Sequence, residues 1–116
     1  LTEEQMENML EEAFDLAEED FAQRQLLEAR VEAESILHAT QKAEKLHEQH
    51  LDASERAVID RAAAELREAC SGRDHNRIRD LVEALNEASR PFAQRIMDAS
   101  IKVALESRSA YEIAGS

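Results

Sequence analysis

One cysteine, one proline, two glycines and 3% aromatic residues occur in the 116 residues. A lone cysteine, Cys70, excludes an internal disulfide. So few turn formers argue against a β-sandwich or barrel, whose many tight turns draw on glycine and proline. With few aromatics, any core must be built from Leu, Ile, Val and Ala, which the 43% hydrophobic content can supply. No apolar run approaches the ~20 residues of a membrane span, and no signal peptide is visible. The first twenty residues contain no base at all, against nine acids.

That last absence sets the charge pattern. Residues 1–55 hold sixteen acids and four bases, whereas residues 56–116 hold ten of each, so the whole net charge of −12 lies in the first half. Such a surface repels phosphate backbones and anionic lipid, making nucleic acid and membrane poor partners. A reducing cytoplasm suits the single thiol, and Cys70 shares a helical stripe with Leu66, as expected of a buried, inert side chain. A start at Leu1 suggests a piece of a longer protein.

What remains is rich in Ala, Glu, Leu, Arg and Gln, and predicts one all-α domain over residues 1–116. Thr2 and Gln5 have the spacing of a capping box. Met6, Met9, Leu10, Ala13, Phe14, Ala17 and Phe21 then recur at helical spacing as one apolar face. No Gly or Pro interrupts residues 3–49, so a single helix there would run about 70 Å. A second stripe of Leu26, Ala29, Ala33, Ile36, Leu37, Thr40 and Ala43 is offset by roughly 200°. Two outcomes fit: a bend near residues 17–22, giving helices over 1–17 and 18–50, or a straight helix serving two surfaces.

Asp52 with Glu55 reads as a second capping box, opening a helix over 53–71 with Val58, Ile59, Ala62, Leu66, Ala69 and Cys70 inward. Gly72 is placed as its C′ residue. Asp74 can cap a helix over 75–89 carrying Ile78, Leu81, Val82 and Leu85. Pro91 pushes Arg90 from helical geometry and suits the first position of a helix over 91–106, with Phe92, Ile96, Met97, Ala99 and Val103 inward. Residues 107–116 are weakly patterned and are expected to fray. The expected architecture is thus a long N-terminal helix plus an antiparallel bundle, about five helices in all. The first stripe finds no mate in this chain.

No phosphate loop or catalytic triad is visible. Glu44-x-x-His47 has the spacing of a di-iron bundle motif but lacks a second copy, since Gly72 stands three residues before His75. No catalytic, cofactor or metal residue is assigned. Leu27, Val31, Glu34 and His38 continue the phase of the first stripe, and Glu34 and His38 sit one turn apart.

The run Arg30–Lys42, RVEAESILHATQK, resembles the second lid helix of DnaK-type heat-shock chaperones, and Leu1–Met6 with Ala17–Asp20 resembles the start of that lid. Leu51–Asp60, LDASERAVID, and Phe92–Ile101, FAQRIMDASI, are similar to the HscA-like, iron–sulfur-assembly branch. The resemblance spans nearly the whole chain. It implies a helical lid closing over a β-sandwich that grips peptide, under an ATPase domain that lies elsewhere in the parent protein. This piece would then hold no ATP and perform no catalysis. The resemblance also implies a latch onto the sandwich loops at Glu34 and His38; the acid is Glu where the DnaK type has Asp, which changes its reach. Met6, Met9, Leu10, Phe14, Phe21, Leu27 and Val31 would face the missing sandwich or a dimer mate joined through residues 1–25. Implied partners are the parent's own β-sandwich, a client peptide or iron–sulfur scaffold protein, and a J-type co-chaperone acting through the parent. The alternative is a free-standing adaptor using the first stripe as a helix-in-groove ligand.

Overall fold

A computed structural model describes residues 1–115, with side chains through Tyr111. It contains three α-helices and no strand among the described residues: α1 (Glu3–Leu46), α2 (Ala53–Cys70) and α3 (His75–Gly115), with a single 3-10 turn (Glu48–His50) between the first two. The molecule measures 89 × 36 × 16 Å.

The expected count of five helices is therefore corrected to three, by two fusions. The first joins residues 1–17 to 18–50. Thr2 starts α1 with the complete capping box: its hydroxyl accepts from the Gln5 N–H at 3.1 Å, and Gln5 Oε1 accepts from the Thr2 N–H at 2.9 Å. No glycine, proline or packed neighbour then breaks the i→i−4 ladder, so α1 passes residues 17–22 and runs about 66 Å.

The second fusion crosses Pro91, which lies inside α3 instead of opening a helix. Proline in a helix interior removes one hydrogen bond and crowds the preceding turn, at a cost of about 3 kcal/mol. Here Pro91 is exposed, while Leu85 and Phe92 on either side are buried in the core. Packing on both sides outweighs the local penalty and keeps Arg90 helical. The residues expected to fray from 107 are helical through Gly115; Ser116 lies outside the described residues.

The core is small: Ala29 and Ala33 from α1, Ile59, Ala63 and Leu66 from α2, and Ile78, Val82, Leu85 and Phe92 from α3. The second stripe of α1 packs as expected, with Leu26, Ile36, Leu37 and Ala43 around the two alanines. Three inward assignments fail. Val58 is exposed because α2 turns Ile59 and Ala63 inward instead. Met97 and Val103 are exposed because α3 outruns the bundle.

Polar ties fix the helix order. At one end Arg30 of α1 donates from Nε to the Cys70 carbonyl at 3.0 Å and from Nη2 to the Gly72 carbonyl at 2.7 Å. Gly72 thus serves as a backbone acceptor, without the positive φ expected of a C′ glycine. Asp74 caps α3 as expected, accepting from the Arg77 N–H at 3.1 Å. At the other end Arg95 of α3 donates to the His50 carbonyl at 2.7 Å and forks onto the Glu55 carboxylate. Asp52 caps α2 by accepting from the Glu55 N–H at 2.8 Å, but the Glu55 side chain is committed to Arg95, so that capping box is only half made. These ties place α1 and α3 parallel, with α2 antiparallel between them in sequence.

Replacing Pro91 with Ala should raise stability by about 1–3 kcal/mol, because the restored N–H meets the Glu87 carbonyl. Thermal unfolding checks this; an unchanged or lower midpoint would show that Pro91 carries no local cost.

Candidate docking face on the first helix

The bundle holds only the second half of α1. Every residue from Leu1 to Arg24 is exposed, so about 36 Å of helix projects clear. Along it the first stripe is open to solvent, with Phe14 64% and Phe21 60% exposed. Phe14, Ala17, Glu18 and Phe21 line a shallow concavity of about 420 Å³. Where α1 meets the bundle, Leu27 and Val31 remain exposed and form a groove of about 720 Å³ with Ile36, Ala39 and Val82. Met6, Met9 and Leu10 are exposed as well, so all seven apolar residues singled out for this surface lie uncovered. Single exposed apolar residues are ordinary; a run along one helix marks an interaction surface.

Glu34 and His38 lie one turn apart on the exposed side of the anchored half of α1, and neither makes a hydrogen bond or ion pair among the described residues. The Glu34 carboxylate lies close enough to Cys70 to act on its thiol. Partial burial pushes that thiol up from its ordinary range, Glu34 adds to the rise, and Arg30 opposes it. The thiol is thus kept protonated, the opposite of what a nucleophile needs.

Glu44 and His47 do not meet a second acid–histidine pair. Glu44 instead contacts Asp60 of α2, and no group of three or more His, Cys, Asp or Glu side chains suited to a metal occurs among the described residues. No described helix is long and apolar enough to cross a membrane.

Periodicity alone missed Arg30, Arg95 and the Glu44–Asp60 contact. The two arginines had one signal: each lies beside the apolar stripe of its helix, next to Ala29 and Ile96 respectively. A long side chain there can reach along the core edge to a neighbouring backbone.

Comparison with known proteins settles the affiliation. Residues 1–98 match the family model described as Hsp70 protein. The chain belongs to the Hsp70 family. It is 41% identical over 113 residues to a protein from Cupriavidus taiwanensis called "Chaperone protein HscA homolog", and 44% identical over 113 residues to one of the same description from Burkholderia orbicola. Each match covers 97% of this chain and 18% of the relative, so the chain spans less than a fifth of those relatives' length.

An isolated chain should self-associate through residues 1–25, where the stripe is bare. Nine acids in the first twenty residues oppose that pairing, so added salt should tighten it. Replacing both Phe14 and Phe21 with Ser should weaken it at least roughly tenfold, from about 1.5–3 kcal/mol per buried Phe. Sedimentation equilibrium reads both effects; a monomer at high concentration and high salt would contradict the expectation.

Proposed function

We propose that this chain is the helical lid of an Hsp70-type chaperone, closing over the parent's peptide-binding β-sandwich and slowing peptide escape. The observation that carries the reading is the division of α1 into an anchored half and a bare half. Its distal residues are bound to α2 and α3, while its apolar N-terminal stripe has no counterpart among the described residues. A β-sandwich is one body that would cover that stripe. The stiffness of an unbroken helix suits it to carry the bundle as a unit across the mouth of a binding site. Gating of this kind acts by blocking an exit path, so the lid need make few contacts with the peptide itself.

In this reading Glu34 and His38 latch α1 to the sandwich loops. Both are exposed, lie on one side of the helix and are without hydrogen-bonding partners among the described residues. The carboxylate can accept hydrogen bonds and the imidazole can donate one, so the pair offers complementary chemistry to a loop backbone. ATP binding and hydrolysis would belong to a separate domain of the parent. The HscA-named relatives make iron–sulfur cluster assembly the favoured setting. The client would then be an iron–sulfur scaffold protein brought by a J-type co-chaperone, in the cytoplasm.

Glu34→Ala and His38→Ala, introduced separately and together into the full-length chaperone, should speed peptide release several-fold in the nucleotide state that holds the lid closed. Fluorescent-peptide dissociation kinetics measure this. Release rates equal to wild type in the double variant would remove the latch.

A further inference from the structure

Glu44, near the end of α1, and Asp60, in the middle of α2, meet across the seam between these helices. They line a concavity of about 380 Å³ with Leu37, Thr40, Ala63 and Arg67. The two carboxyl groups face the same concavity, within hydrogen-bonding reach of each other. An ionised carboxylate only accepts, so a bond between two carboxyls requires that one of them carry a proton. The charged groups facing Glu44 all come from α2: Asp60, Arg56 and Arg67. Arg56 is shared with Glu48 just beyond the end of α1, at 3.9 Å. The two arginines therefore offset the second carboxylate only in part.

We propose that Glu44 and Asp60 form a proton-operated clasp: one shared proton ties α1 to α2, and its loss turns the same contact repulsive. Partial burial of Glu44, followed by its hydrogen bond and charge contact with Asp60, raises its carboxyl from 4.5 to about 7, against the weaker opposing pull of Arg56 and Arg67. A carboxyl with a raised pKa in the folded state binds its proton more tightly when folded. The contribution is therefore fully present below about 4.5 and is lost as pH rises through about 7. The clasp works within the pH range of ordinary solution, and it acts on the segment of α1 that the bundle uses to hold its projecting half.

Two measurements on the intact chain test this. Carbon-13 titration of the side-chain carboxyls should show Glu44 changing state near neutrality, well above its ordinary value of 4.5. The Glu44 contribution should lower the wild-type thermal midpoint progressively between about pH 4.5 and pH 7. In Glu44→Gln, whose amide donates to Asp60 at every pH, that part of the fall should vanish; Asp60→Asn should move the Glu44 titration back toward its ordinary range. Every other titratable group is unchanged in Glu44→Gln, so any slope that survives in that variant does not come from the clasp. Glu44 titrating at its ordinary value of 4.5, or a Glu44→Gln slope equal to wild type, would overturn the clasp.

Discussion

Two alanines govern how this molecule is put together. Ala29 and Ala33 are the only fully buried residues that α1 contributes to the core, and each presents a single methyl group. Small side chains let helix backbones approach closely, so Ile59 and Leu66 from α2 and Ile78 and Leu85 from α3 fill the space larger residues would occupy. A bulkier residue at either position would overpack a site with no slack, at a cost of about 1–3 kcal/mol. Everything N-terminal to residue 25 depends on this grip and the contacts around it, because no residue from Leu1 to Arg24 is itself packed.

Arginine ties at both ends keep that grip in register. Arg30 reads two carbonyls at the α2–α3 turn, and Arg95 reads one carbonyl and one carboxylate at the α1–α2 turn. Each spans about forty residues of sequence and closes one end of a three-helix stack whose apolar core is thin. Hydrogen bonds from a charged donor are among the stronger polar contacts, and three of these are directed at backbone carbonyls near helix ends.

Much of this was legible in the sequence where a residue's role is local. The Thr2–Gln5 box, the Asp74 cap and the inward stripe from Leu26 to Ala43 depend on spacing within a few residues, and each appears where periodicity put it. Helix boundaries were less legible. The phase change near Phe21 marked a change of surface, not of direction, because one straight helix can be bare along one length and packed along another. Pro91 has a strong local preference that three helices packed together override. The inward assignment of Val103 failed because periodicity says which side of a helix is apolar, not whether anything lies opposite. For the docking surface, the seven apolar residues are exposed, and helical spacing within one chain does not say what would meet them, or Glu34 and His38.

The unbroken course of α1 through residues 17–22 has a mechanical consequence. A beam clamped at one end turns small rotations at the clamp into large displacements at its free tip. With about 36 Å of cantilever, a tilt of roughly 10° at the clamp moves the tip by about 6 Å, more than one helical turn. The bundle and the tip of α1 are therefore geared together: a small repacking around Ala29 and Ala33 is felt as a displacement of several ångströms at the far end.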